Sequence, residues 1–247
     1  MPSGKVAWIT GGGSGIGLAG GIELAKAGAH VIISGRSRET LLSSEKQLKA
    51  AGSGEAIALD VSDQKEVAKS AQAILKRHGH IDILINSAGI NIRGASDQLA
   101  EADWDTVIDV NLKGTFLCSR AVGPGMVRRG WGRVINMGSI LSVIAMPGRA
   151  PYAAAKAGVL NLTRVFALEW AGTGVTANAI CPGPFGTEMN RTLLDDPVKY
   201  QEFIKQIPMG RYGQPQELGP LAVYLASEAS AYMTGAALVI DGGYTLW

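Results

Sequence analysis

The chain has 247 residues, of which 47% are hydrophobic and 18% are charged, and its formal net charge is only +2. Acidic and basic residues are interspersed along it, which argues against a nucleic-acid-binding surface. Neither the two cysteines nor the three histidines show the spacing of a metal site, so no metal is predicted. There is no signal segment and no apolar run of membrane-spanning length, which favours a cytoplasmic protein without membrane partners.

The first predicted strand, Val6–Thr10, is followed at once by the glycine-rich turn 11–17 and then by a helix that ends at Gly28. Glycines at a strand-to-helix turn let the backbone approach a pyrophosphate at the helix N-terminus. A GxGxxG match also begins at Gly15, but it would place Gly20 inside the helix, so we favour a turn that starts at Gly11. The segment predicts a dinucleotide site; a glycine-rich turn without a ligand is the alternative.

The second predicted strand, 30–34, indicates which dinucleotide is bound. An NAD site places Asp or Glu about 20 residues after the glycine turn, to bind the ribose 2′-hydroxyl. Gly35 occupies that place, and Arg36 after it can bind a 2′-phosphate with two N–H groups, with Ser37 or Arg38 beside it. We therefore predict NADP(H) as the preferred cofactor and NAD(H) as the alternative. The competing interpretation is two solvated arginines at the start of a helix.

Strands and helices alternate through the rest of the chain. Further strands are predicted at 56–59, 81–85, 134–137, 175–180 and Ala237–Ile240, and helices at 38–51, 63–78, 101–129 and from Tyr152 onward, with a helical, loop-rich region at 184–227. Apolar strands that alternate with helices indicate a parallel sheet covered on both faces. We predict a single doubly wound α/β domain over residues 1–247, with about seven strands and its ligands at their carboxyl ends.

Candidate catalytic groups lie between residues 132 and 156. The strand 134–137 ends just before Ser139, and Tyr152 and Lys156 open an alanine-rich helix, four residues apart and therefore on one face. A hydroxyl, a phenol and an ammonium placed in this way can transfer a proton. The pair alone is weak evidence, because an interfacial tyrosine and a solvated lysine give the same spacing. Ser142 is a competing hydroxyl.

These motifs together closely resemble the short-chain dehydrogenase/reductase family over essentially the whole chain. They are the glycine turn after Thr10, Asp60-Val61, Asn86-Ser87-Ala88-Gly89, Asn111, Ser139, Tyr152 with Lys156, and 182–187. Two departures are visible: Ser87 stands where the family usually repeats Asn, and Gly20-Gly21 interrupt a helix. Neither removes a catalytic group.

The resemblance implies a role for each motif. Tyr152 would be the general acid/base, Ser139 would hydrogen-bond the reacting oxygen, and Lys156 would bind the nicotinamide ribose. The Lys156 ammonium and the positive nicotinamide ring would lower the pKa of Tyr152. Asn111 would hold a water of the proton relay, a buried amide being the alternative; Asp60 could equally be a helix cap. The implied cofactor-binding residues are Gly11, Gly13, Ser14, Gly15, Ile16, Gly17, Arg36, Ser37, Asp60, Val61, Asn86, Ala88, Gly89, Tyr152, Lys156, Pro182, Gly183 and Thr187.

The family implies hydride transfer between a ketone and a secondary alcohol on a small molecule. The expected pocket segments, 90–95, 141–149 and 184–210, offer Ile92, Arg93, Leu141, Arg149, Phe185, Glu188 and Met189. The two arginines suggest a carboxylate, such as that of a sugar acid; surface arginines on loops are the competing interpretation.

The alternative function is a 3-oxoacyl-(acyl-carrier-protein) reductase, whose acidic carrier protein would meet Arg128 and Arg129. A non-catalytic nucleotide-binding sensor is less favoured, because Tyr152 and Lys156 are both present. The resemblance also implies a homotetramer, with interfaces on the helices near 101–129 and 152–172 and on the segment 233–247.

Overall fold

One sheet organises the fold in the computed structural model, which describes residues 1–246 and, at residues 192 and 193, the backbone alone. Its strands are β1 (Val6–Thr10), β2 (His30–Gly35), β3 (Ser53–Ala58), β4 (Ile83–Asn86), β5 (Gly132–Met137), β6 (Val175–Pro182) and β7 (Ala237–Ile240). All neighbouring strands are parallel, in the order β3-β2-β1-β4-β5-β6-β7. The predicted doubly wound α/β sheet is therefore confirmed.

Helices cover both faces of this sheet. They are α1 (Gly15–Lys26), α2 (Arg38–Ala51), α3 (Gln64–His78), α4 (Glu101–Ile108), α5 (Gly114–Arg129), α6 (Ala150–Glu169), α7 (Arg191–Leu194), α8 (Pro197–Ile204) and α9 (Gly219–Leu225). Adjacent residues of a strand point to opposite faces. Trp8 accordingly packs in one core with α3 and α5, and Ile9 in the other with α1 and α9. Within residues 1–246, no helix is both long and apolar enough to cross a bilayer.

The order of the strands reverses between β1 and β4, where a crevice opens at their carboxyl ends. The Ser87 N–H donates to the Thr10 carbonyl over 3.1 Å, so the turns that follow the two strands are in contact. Ligand-binding turns predicted from separate parts of the chain are thus neighbours.

Several predicted boundaries were wrong. β3 runs from Ser53 to Ala58 rather than over 56–59, because its pairing with β2 begins at His30 opposite Ser53. The strand lies at the edge of the sheet, so its first residues carry no apolar signal. β4 begins and ends later than the predicted 81–85, because its pairing with β1 runs from Ile83 to Asn86. β5 and β6 extend the predicted 134–137 and 175–180, because main-chain pairing continues past the apolar runs.

The segment 101–129 is not one regular α-helix. A π-helical turn at Asp109–Lys113 separates α4 from α5 and contains Asn111. Such turns occur frequently at functional sites. Gly20 lies inside α1, which confirms that the GxGxxG match was not the turn itself.

Candidate active site

Ser139, Tyr152 and Lys156 line one cavity of about 660 Å³ at the carboxyl end of the sheet. Ser139 lies two residues beyond the end of β5, and the other two lie near the start of α6. The buried Lys156 donates from Nζ to the Met137 carbonyl over 2.7 Å, which ties α6 to the end of β5. The same Nζ lies 5.6 Å from the Tyr152 ring centroid. The predicted proton-transfer groups are therefore brought together.

Ser142, the competing hydroxyl, holds the other groups in place. Its Oγ accepts from the Ser139 N–H over 3.1 Å and donates to the Lys156 carbonyl over 2.9 Å. The Ser139 Oγ accepts from the Leu141 N–H and keeps its own proton for donation. Ser139 lines the cavity and Ser142 is not among the lining residues. The geometry favours Ser139 as the group that contacts substrate.

The pKa of Tyr152 is raised above its usual value of 10, because burial outweighs a hydrogen bond with Ser139 and the charge of Arg149. Burial lowers the pKa of Lys156 to about 8. Arg149 is the positive group that lowers the Tyr152 pKa here. The sequence interpretation named Lys156 and the nicotinamide ring of a bound cofactor, and that expectation stays a prediction. Tyr152 is consequently protonated at neutral pH, as a proton donor must be.

The glycine turn forms a cradle for a dinucleotide. Gly11 has φ +66°, and a Cβ there would lie 2.6 Å from the Ala88 Cα; a Cβ at Gly17 would overlap the Gly11 carbonyl. Ser14 is the N-cap of α1 without a side-chain cap bond, and the first turn carries no acidic residue. Free N–H groups at this helix end, next to the cavity, fit a pyrophosphate.

The cofactor residues predicted from sequence fall into two groups. Those that line the cavity are Gly11, Ser14, Gly15, Ile16, Gly89, Tyr152, Lys156, Pro182, Gly183 and Thr187. Those that lie beyond its lining are Gly13, Gly17, Arg36, Ser37, Asp60, Val61, Asn86 and Ala88. In the second group, Asn86 is buried and its Nδ2 donates to Ser119 and Asn136, so this side chain supports the sheet, and its place in the cofactor site stays a prediction.

Arg36 and Asp60 follow β2 and β3 and lie close enough to interact. Burial raises the pKa of Asp60, but hydrogen bonds from Ser62 and the Arg36 charge leave it below its usual value. Ser37 caps α2, its Oγ accepting from the Thr40 N–H. Within residues 1–246, Arg36 makes no ion pair within 4.0 Å. An exposed guanidinium beside a helix N-terminus fits a phosphate group.

Asn111 joins the helix to the loop after β4. Its side-chain nitrogen donates to the carbonyls of Ile90 and Val107, and its Oδ1 accepts from the Ile90 N–H. Both amide hydrogens are therefore used by the backbone, which agrees with the buried-amide interpretation. A role in holding a water stays a prediction.

The substrate end of the cavity contains six of the seven residues predicted for it: Arg93, Leu141, Arg149, Phe185, Glu188 and Met189. Ile92 is not among the lining residues. Met146, Phe203 and Tyr212 also line it; Met146 and Phe203 lie within the predicted segments 141–149 and 184–210, whereas Tyr212 was not predicted. The Tyr212 side chain is 3% exposed, and its hydroxyl has no hydrogen-bond partner among the described residues. It lies two residues beyond the predicted segment 184–210, where no motif marks it.

Two arginines, Arg93 and Arg149, line this part of the cavity. The pKa of Arg149 is lowered by burial and by the charge of Arg93. Glu188, the acidic residue predicted for this pocket, is paired with Arg191 through both carboxylate oxygens at 3.1 Å. Among the residues that the structure describes, neither Arg93 nor Arg149 has a carboxylate within 4.0 Å. The site therefore has positive charge that the protein does not neutralise.

Comparison with known proteins agrees with this arrangement. Residues 11–245 match a family model described as enoyl-(acyl carrier protein) reductase. Gluconate 5-dehydrogenase of Gluconobacter oxydans is 40% identical over 245 residues, covering 99% of this chain and 96% of that protein. A 3-oxoacyl-(acyl-carrier-protein) reductase of Thermotoga maritima is 38% identical, covering 98% of each.

A solved structure of gluconate 5-dehydrogenase from Burkholderia cenocepacia, in complex with NADP and tartrate, has a TM-score of 0.94 and 39% identity, covering 99% of this chain and 96% of that one. The fold, the order of the motifs and the relatives all indicate the same family, and the matches cover nearly the whole chain. The protein is therefore an oxidoreductase of the short-chain dehydrogenase/reductase family.

Proposed function

We propose that the protein is an NADP(H)-dependent oxidoreductase that interconverts a ketone and a secondary alcohol on a small polyhydroxy acid. The observation that carries the substrate class is the pair Arg93 and Arg149, two guanidinium groups in the cavity without a carboxylate partner among residues 1–246. Arg149 also precedes α6 as its N-cap, where a cation is unfavourable unless an anion is present. A substrate carboxylate would relieve both effects.

The rest of the cavity suits such a substrate. Apolar side chains such as Leu141, Met146 and Phe185 form much of the wall, with few polar groups to orient the ligand. The buried Tyr212 hydroxyl, which lacks a partner within the described chain, would bind a substrate hydroxyl. The relative from Burkholderia was solved with tartrate, itself a hydroxy acid, which supports the assignment.

Proton transfer would be carried out by this chain's own residues. In the direction of reduction, the Tyr152 phenol donates its proton to the carbonyl oxygen, and Ser139 donates a hydrogen bond to that oxygen as negative charge develops. Lys156, oriented by the Met137 carbonyl, would hold the nicotinamide ribose with its remaining N–H groups. The bound cofactor supplies or accepts the hydride.

Arg36 carries the preference for NADP(H). It stands free beside the N-terminus of α2, and Gly35 provides no carboxylate that would repel a 2′-phosphate. The solved relative that was crystallised with NADP supports this choice.

The carboxylate assignment is tested with Arg93→Met, because Arg93 binds substrate in this proposal, whereas the charge that acts on the Tyr152 pKa is that of Arg149. A charge-assisted hydrogen bond is worth about 1.5–3 kcal/mol, so KM for gluconate-type acids should rise roughly 10- to 150-fold. KM for uncharged polyols should change little. Steady-state kinetics with both substrate types measures the difference, with Arg128→Met as the matched control.

An equal effect of Arg93→Met on acids and polyols would contradict the carboxylate assignment. Strong preference of the unmutated enzyme for a carrier-protein thioester would contradict the substrate class as a whole. The structure already weakens that alternative, because Arg129 donates to the Ile81 carbonyl over 2.6 Å, just before β4 begins. Arg129 thus lies at the amino edge of the sheet, opposite the cavity.

We also propose a homotetramer. Exposed apolar side chains lie on the two helices predicted to pair: Phe116 on α5, and Val165 and Leu168 on α6. Apolar surface of this kind marks contact sites between proteins. The predicted second interface includes the exposed Val239 on β7; its last residue, Trp247, lies outside the described residues.

Light scattering at micromolar concentration should give four times the chain mass of 25.8 kDa. Leu168→Glu should reduce this mass, because Leu168 is 79% exposed in the single chain and a charge there cannot be buried in an interface. Leu42→Glu, on α2 and 62% exposed, is the matched control and should leave the mass unchanged. A monomeric mass for the unmutated protein would refute the proposal.

A further inference from the structure

A cluster of three metal-ligand side chains lies at the amino edge of the sheet, away from the cofactor cavity. His30 is the first residue of β2, Glu55 is the third residue of β3, and His78 is the last residue of α3. One ligand atom from each lies within 4.8 Å of the other two. The three residues are up to 48 positions apart in sequence, so no short sequence motif predicts the cluster.

The hydrogen bonds of His30 leave one ring nitrogen without a partner. Its Nδ1 is 2.6 Å from the Ser53 Oγ, and its Nε2 is buried with no partner among the described residues. A proton on Nδ1, donated to Ser53, leaves a lone pair on Nε2. This is the usual arrangement of metal-binding histidines, which donate from the second ring nitrogen to a nearby oxygen.

The other two ligands are arranged in a compatible way. His78 Nε2 lies 3.0 Å from Glu55 Oε1, while Arg77 Nη1 lies 2.6 Å from Glu55 Oε2. Arg77 thus pairs with Glu55 Oε2, and Glu55 Oε1 lies on the side of the two histidines. All three ligand side chains are partly buried, which limits competition by water without closing the site.

We propose that His30, Glu55 and His78 bind a divalent transition-metal ion, for which zinc is the best fit. Two imidazoles and one carboxylate are a donor set that zinc takes, with Zn–N and Zn–O distances of about 2.0–2.2 Å. Ligands on one tetrahedral ion are about 3.3 Å apart, so no pair of ligand atoms must close by more than roughly 1.5 Å, which side-chain rotation can supply. Water fills the fourth position.

The role of this metal is to stabilise the fold. It joins β2, β3 and the end of α3 at the edge opposite Tyr152, so it contacts neither cofactor nor substrate. An ion that binds only the folded protein at 100 times its Kd should raise Tm by roughly 5–10 °C for a chain of this size. The kcat should not change.

The test uses the tag-free chain of 247 residues, stripped with a chelator and titrated with Co²⁺, whose visible absorption reports coordination, and then with Zn²⁺. We expect one Co²⁺ per chain, displacement by Zn²⁺, and the rise in Tm. His30→Gln and His78→Gln should each weaken binding at least 10-fold and abolish the rise in Tm. Both variants should keep their kcat, which also shows that they fold.

His80→Gln is the matched control, because His80 pairs with Asp82 outside the cluster and is partly exposed. It should bind metal as the unmutated protein does. Ser53→Ala keeps all three ligands and should weaken binding about 10- to 100-fold by removing the partner of His30 Nδ1. The proposal is overturned if the unmutated protein takes up no Co²⁺ at millimolar concentration, or if His80→Gln loses binding as fully as His78→Gln.

Discussion

Tyr152→Phe is expected to lower kcat by at least ~10²-fold while leaving the Kd for NADPH and the fold nearly unchanged. The substitution removes one hydroxyl from a ring that stays packed, and the Lys156 bond to the Met137 carbonyl does not depend on it. Steady-state kcat, together with a fluorescence titration of NADPH, measures both quantities. Tyr224→Phe, on α9 and outside the cavity, is the matched control.

Retention of more than about a third of wild-type kcat in Tyr152→Phe would show that another group transfers the proton. Lys156→Ala should behave differently, losing both rate and cofactor affinity, because in the proposed function Lys156 holds the nicotinamide ribose. The two variants together separate proton transfer from positioning.

Replacing Arg36 with Met should weaken NADPH binding roughly 10- to 150-fold and leave NADH binding nearly unchanged, because charge-assisted bonds to a 2′-phosphate are worth about 1.5–3 kcal/mol each. Arg36 makes no ion pair within 4.0 Å among the described residues, so its removal leaves no buried carboxylate without its partner. Titrations with both cofactors give the two Kd values. Arg128→Met, at the far end of α5, controls for the loss of one positive charge.

Equal losses of NADPH and NADH affinity in the Arg36 variant would place Arg36 outside the 2′-phosphate site. For the unmutated enzyme, kcat/KM with NADH equal to or above that with NADPH would refute the cofactor preference itself.

The predicted pKa effect on Tyr152 shows what a motif leaves open. The spacing of Tyr152 and Lys156 correctly placed them on one helix face, because that depends on local helix geometry alone. In this structure the positive charge that lowers the pKa of the phenol is that of Arg149, at the N-cap of the same helix. A spacing rule states which side chains are neighbours, and it does not give the direction in which each one extends.

The sequence alone determined the sheet, the glycine turn and the positions of Ser139, Tyr152 and Lys156. Strands buried on both faces must be apolar throughout, so they are visible as runs; parallel strands bring their carboxyl ends to one edge, so the residues that follow them converge. These features are local in sequence or follow from the alternation of elements. The start of the edge strand β3 was missed because its first residues pair with β2 but are not apolar, so no apolar run marks them.

Only the tertiary structure decided the features that join distant segments. Ser142 is shown to support Ser139 because it reaches Lys156, 14 residues away, and Tyr212 enters the cavity from a loop with no motif. Arg129 is excluded from the cavity because α5 ends at the opposite edge of the sheet. His30, Glu55 and His78 meet because β2, β3 and α3 pack together. Distances between residues far apart in the chain are set by strand order and helix packing, and sequence periodicity encodes neither.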